Sequence, residues 1–120
     1  MATNEYLPVY KPGQAITFKA GAAVSGGRLV EISGESTVQH ACAASAKVVG
    51  VAAWDAAVGS EVTVHSCGVQ ELVASAAIAA GDRVEAAADG KAATSAGTGF
   101  GVAITSAAGA DDVVRVKVQF

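Results

Sequence analysis

The chain states one pattern twice. Val24-Ser25-Gly26-Gly27-Arg28-Leu29-Val30-Glu31 is echoed by Ile78-Ala79-Ala80-Gly81-Asp82-Arg83-Val84-Glu85, and Val49-Gly50-Val51-Ala52 by Phe100-Gly101-Val102-Ala103. An alanine- and glycine-rich stretch follows each copy. It leads into an alternating run, Glu61-Val62-Thr63-Val64-His65 in the first copy and Asp112-Val113-Val114-Arg115-Val116-Lys117 in the second. The offset between copies is 54 residues at the first motif, 51 at the second and 52 at the third. Motif order is kept and only loop length varies, which predicts one shape built from two similar β units. A doubled β unit without a reactive cluster reads as scaffold.

Everything else in the pattern is short strand and turn. Ala15 to Ala20 alternates apolar and polar residues, as a half-buried strand does. Ser25-Gly26-Gly27 and Ser33-Gly34-Glu35-Ser36 are turn signals, and strands are predicted between and after them at 28–32 and 37–40. Further strands are predicted over 47–53, 61–65, 69–73, 82–86, 92–94, 100–105 and 113–120, with Ser66-Cys67-Gly68 as a turn. In the last strand Val114, Val116, Val118 and Phe120 share one face, while Arg115, Lys117 and Gln119 share the other. The alanine runs near 74–80 and 86–93 favour helix, but Gly and Asp interrupt them, so each is read as a loop or one helical turn. The fold class expected is all-β: a compact small barrel or sandwich of about ten short strands with an internal duplication, an extended N-terminal arm and at most one short helix. The domain reading is an arm over 1–13 and a single β domain over 14–120, with half-repeats of about 15–68 and 69–120.

The arm, Tyr6-Leu7-Pro8-Val9-Tyr10-Lys11-Pro12-Gly13, holds both prolines and both tyrosines. Proline removes backbone donors and favours an extended path. An apolar extended segment outside the repeat is expected to dock, on its own domain or on a neighbour. Tyr6, Leu7, Pro8, Val9 and Tyr10 are therefore candidate partner-binding residues. Trp54, the single tryptophan, is a sixth: it is either an interface anchor or a cap on the barrel end.

Composition narrows the function. The 120 residues include 52% hydrophobic side chains but only 5% aromatic ones, so the core is built from Val, Ala, Ile and Leu. The net charge is −3 and no run of Lys or Arg occurs, so direct nucleic-acid binding is not expected. No apolar stretch reaches the roughly 18 residues of a membrane span. The polar start, Met1-Ala2-Thr3-Asn4-Glu5, does not resemble a secretory signal. Synthesis in reducing cytoplasm is expected, with Cys42 and Cys67 as free buried thiols. A disulfide between them is the alternative in an oxidising end state.

The sharpest reactive constellation is a pair of motifs, His40-Ala41-Cys42 and His65-Ser66-Cys67. Residues two apart on a strand share a face, so adjacent strands could offer two imidazoles and two sulfurs to zinc. Structural zinc sites more often use tight turns between ligands, and strand-end histidines with core cysteines explain the same residues. A Cys-His nucleophile would need an orienting group and a cleft, and no family signature for one is present. Asp111-Asp112 lies in a loop and reads as a solvated turn. Gly97-Thr98-Gly99-Phe100-Gly101 is glycine-rich but lacks the Lys-Ser/Thr of a phosphate loop. Gly81-Asp82-Arg83-Val84 is similar to turns of lipoyl- and biotinyl-carrier domains, but Lys91 lacks their flanking pattern. The chain is read as a non-enzyme without cofactor or metal.

Taken in order, several segments resemble one family. They are Lys11-Pro12-Gly13-Gln14-Ala15-Ile16, Val48-Val49-Gly50-Val51-Ala52, Ala79-Ala80-Gly81-Asp82-Arg83-Val84 and Phe100-Gly101-Val102-Ala103, then Ala107-Ala108-Gly109-Ala110 and Val113-Val114-Arg115-Val116-Lys117-Val118. Together they resemble the capsid cement, or head decoration, proteins of tailed bacteriophages over nearly the whole chain. The resemblance implies a structural virion protein on the outer capsid surface. It would cement neighbouring major capsid protein subunits against internal DNA pressure, commonly as a homotrimer. The alternative is a virion-displayed carbohydrate- or receptor-binding module. The tyrosine-rich arm and the two His-x-Cys pairs depart from the plainest family members.

Overall fold

A computed structural model describes residues 15–96 and 99–119. The predicted arm segment 1–13, with Tyr6, Leu7, Pro8, Val9 and Tyr10, lies outside the described residues, as does Phe120.

Alternation becomes strand wherever one face can be buried. The first five strands are β1 (Ile16–Ala20), β2 (Leu29–Gly34), β3 (Thr37–His40), β4 (Val48–Ala52) and β5 (Glu61–His65). They close into a barrel in the order β1-β3-β2-β4-β5. Every pairing in it is antiparallel except β1 with β3, which is parallel. The next five are β6 (Cys67–Val73), β7 (Arg83–Ala86), β8 (Ala92–Thr94), β9 (Gly101–Ala103) and β10 (Val113–Gln119). They form a second sheet in the order β6-β10-β9-β7-β8. The helical turn expected among the alanines is a single 3-10 turn, Ala88–Gly90.

The repeat seen in sequence returns as matched hydrogen bonds. Val24 and Ala56 exchange two backbone bonds of 2.9 Å, and Ile78 and Ala107 exchange two of 3.0 and 2.8 Å. Gly27 N donates to Ala52 O at 2.8 Å, as Gly81 N does to Ala103 O at 2.8 Å. The repeated Gly-Val-Ala motif has a packing cause. A Cβ on Gly50 would strike the carbonyl of His65 and the Val64 side chain, and one on Gly101 would strike the carbonyl of Lys117 at 2.6 Å and Val116 at 2.8 Å. Both glycines let a neighbouring strand approach too closely for any side chain.

The halves differ in how they close. In the first, β1 joins β3 through Lys19–Thr37 and Ala20–Val38. In the second, the equivalent seam is one parallel bridge, Ala74–Ala92. The first half occupies the gap beside that bridge. Gly90 N donates to Ala41 O at 3.0 Å, Arg28 Nη1 donates to Asp89 O at 3.0 Å, and Gly27 lies against the Glu71 carbonyl. Leu29, Ala41 and Val51 of the first half accordingly pack with Leu72, Val84 and Val116 of the second. Val30, Ala52, Val62 and Val64 fill the first barrel instead. Strands β2 and β4 run between the two cores, which is why their buried positions are consecutive rather than alternating.

Two expectations are corrected. Ser66-Cys67-Gly68 is not a full turn, because β6 already begins at Cys67, which pairs with Gln119. Gly68 takes φ +92, a conformation open to glycine, so the strand bends without leaving β10. The thiols are also not both buried. Cys42 is exposed and Cys67 half-buried, and both are free.

Candidate partner-binding surface

The turn that joins the halves also positions Trp54. Ser25 N donates to His40 Nε2 at 2.8 Å, and Gly26 N donates to Asp55 Oδ1 at 2.7 Å. A Cβ on Gly26 would lie 3.0 Å from Trp54 Cα, so the turn rests directly on the tryptophan backbone. The residue is held there while 51% of its surface stays exposed. Trp54 thus presents a half-exposed indole on a backbone that its neighbours hold in place. Val58, 67% exposed, lies four residues along the same loop.

The His-x-Cys residues are given separate tasks. His40 Nε2 accepts from Ser25, so the ring must be neutral for that bond to exist. Burial, followed by the charge of Arg28, holds its pKa below the usual value, with Asp89 opposing. Cys42 belongs instead to a carboxylate nest around Glu31, which is buried. Glu31 accepts from Gln39 Nε2 at 2.9 Å, from Cys42 N at 3.1 Å and from the Cys42 thiol at 3.6 Å. His65 ends β5 and Cys67 starts β6. Among the described residues no group of three or more His, Cys, Asp and Glu is placed to hold a metal ion.

Glu31 was not legible as a functional or structural centre in the sequence. Hydrogen bonds lower its pKa from 4.5 to about 2, led by the Ser45 hydroxyl and Gln39 and aided by Cys42, with burial opposing them. Its folded value lies below the unfolded one. Its stabilising contribution is therefore complete above pH 4.5 and is lost as pH falls through about 2. Glu31→Gln should cost about 2 kcal/mol at neutral pH and flatten the stability profile between pH 5 and pH 2. Urea unfolding of both proteins across that range checks this, and parallel profiles would show that Glu31 is not the acid-sensitive group.

A cleft of about 530 Å³ opens between the 44–48 loop and the start of β9, lined by Ser45, Val48, Glu85, Ser95, Phe100 and Gln119 among others. Trp54, the predicted partner-binding residue that lies among the described residues, does not line it. A second exposed surface was missed by sequence reading. Val69, Val102, Ile104 and Val113 are exposed by 54, 37, 49 and 57%. All four stand on the outer face of β6, β10 and β9, where Arg115 Nε pairs with Glu71 Oε2 at 3.2 Å. The alternation that identified the strands marks these positions as outward, and the sheet order shows that they share this face with Lys117, which stands between Val69 and Val102.

Across residues 10–118 the sequence matches the family model described as phage cement protein. The chain belongs to that family. Membership makes it a structural protein of a phage capsid, associated with the virion. Its fold is similar to that in "The crystal structure of head fiber gp8.5 N base in bacteriophage phi29". The TM-score is 0.74 at 23% sequence identity, over 88% of this chain and 93% of that one. No curated protein matches the chain. The fold class and the family expected from the sequence agree with these findings, and of the expected role they support a structural capsid protein.

Proposed function

We propose that this cement-family protein binds the exterior of the assembled head and bridges neighbouring major capsid protein subunits, as a homotrimer at local symmetry axes. The observation that carries the reading is the family match over residues 10–118. The site residues in this reading are Tyr6, Leu7, Pro8, Val9 and Tyr10 of the arm, with Trp54 as the anchor on the β body. We take the arm over 1–13 and the β domain over 14–120, halves 15–68 and 69–120, as the units that divide this work. The physics suits it: packaged DNA presses outward, and many small bridging contacts act collectively on the shell.

Cryo-electron microscopy of purified heads mixed with the protein tests this. The expected result is ordered density at symmetry axes on the outer surface, three copies to each axis, with the arm seated on a neighbour. Bare heads at saturating protein would sink the cement reading and turn attention to a virion-displayed carbohydrate- or receptor-binding module.

A further inference from the structure

Glu31 has a counterpart in the second half. In the first half Val30 pairs with His40 and Gly50, and Glu31 pairs with Gln39. In the second Val84 pairs with Thr94 and Gly101, and Glu85 pairs with Ala93. Glu85 therefore holds the register that Glu31 holds. Their surroundings differ. Glu31 is buried and receives four donors: the Gln39 amide, the Cys42 N–H and thiol, and the Ser45 hydroxyl. Ala93 stands in the place of Gln39 and Ala96 in that of Cys42, and neither carries a side-chain donor. The loop that brings Ser45 is also shortened, since nine residues separate His40 from Gly50 and six separate Thr94 from Gly101. Glu85 is left half-buried, and both it and Ala96 line the cleft of about 530 Å³.

The walls of the cleft decide what can answer that carboxylate. Among the described residues lining it, Glu85 alone is charged. Ser45 lines it too, but its hydroxyl is committed to Glu31 and its oxygen accepts from Lys47 N at 3.1 Å. Phe100 and Val48 supply apolar wall, and Gln119 an amide. Phe100 N donates to Val84 O at 3.0 Å, which roots the ring directly beside β7. A carboxylate, an amide carbonyl and an aromatic ring in one cleft suit a guanidinium. That group offers five N–H donors in one plane, pairs with a carboxylate through two parallel bonds and stacks on aromatic faces. One guanidinium thus supplies what four groups supply to Glu31, and brings the opposite charge as well. A neutral sugar or amide would bring donors without that charge. The volume falls within the range of about 300–1,000 Å³ common for ligand sites, which is room for one side chain and its flanking backbone.

We infer that the cleft at Glu85 is a binding site for an arginine side chain of a partner protein, with Glu85 as the anion that pairs it, Gln119 as a second acceptor and Phe100 as the surface it stacks on. The first half closes the same position with its own side chains, so an open cleft is not something the fold requires. Heads are not needed to test the site, so the inference stands or falls separately from the cement reading.

Amide NMR spectra of the isotope-labelled full-length protein, titrated with the peptide acetyl-Gly-Arg-Gly-amide, test it. The backbone amides of Glu85, Phe100 and Gln119 are expected to shift and saturate at about millimolar peptide. The citrulline analogue, of the same shape without the charge, should leave them in place. Glu85→Gln should weaken binding about tenfold or more. Ala93→Gln should weaken it as much while keeping the circular dichroism spectrum, because a glutamine at that register would donate to Glu85 as Gln39 does to Glu31. No shift with the arginine peptide, an equal shift with citrulline, or binding unchanged in either variant would overturn the proposal. Shifts of the same amides on raising the protein concentration alone would assign the cleft to an arginine of a second copy and overturn it equally.

Discussion

Gly90→Ala will destabilise the whole chain by about 3 kcal/mol, although residue 90 belongs to a turn of only three residues. Two effects add. Gly90 has φ +71, where a side chain costs about 1–2 kcal/mol. The new Cβ would also strike the Leu29 carbonyl and lie 3.1 Å from Arg28 Cβ, and such overpacking costs about 1–3 kcal/mol. The clash falls where the first half fills the second half's open seam. Urea unfolding followed by Trp54 fluorescence, which reports the first half, and by far-ultraviolet circular dichroism should shift as one transition. Leu29→Ala, which empties a fully buried position in the shared core, should do the same at about 3 kcal/mol. If Trp54 unfolds at its original midpoint in both variants, the halves are independent and the interlock is only a contact.

Deleting residues 4–12 will weaken binding to heads at least a hundredfold, a loss of hot-spot size, while stability changes by no more than about 1 kcal/mol. Described residues from Phe18 onward make up both cores, so the β body should fold without the arm. Trp54→Ala should weaken binding by about tenfold, because one anchor on the body is lost while the arm remains. Sedimentation of heads with bound protein measures both variants. Normal decoration by the truncated chain would remove the arm from the proposed interface and leave Trp54 and the outer sheet face as the contacts to examine.

Several strand positions were legible because those strands bury one face and so alternate, whereas β2 and β4 do not. Val113 to Val118 shows this most clearly, with Val114, Val116 and Val118 buried and their neighbours exposed. The repeated Gly-Val-Ala motif was legible for a steric reason, since Gly50 and Gly101 each face a carbonyl of the adjoining strand. The Glu31 nest was hidden. Its partners Gln39, Cys42 and Ser45 lie on a neighbouring strand and loop, and nothing in their spacing indicates that a carboxylate is buried among them. The bend at Gly68 looked like a turn because glycine signals both.

By itself the sequence determined the class of fold, the doubled unit and the family, since local alternation, turn chemistry and motif order need only neighbours along the chain. Tertiary structure alone decided that the second sheet stays open at Ala74–Ala92 and that the first half fills the gap. It also decided that Leu29 and Val30, adjacent in sequence, serve different cores. It gathered Val69, Val102, Ile104 and Val113 onto one face. Each of these depends on which strands adjoin, and pairing between residues distant along the chain leaves no periodic trace in it.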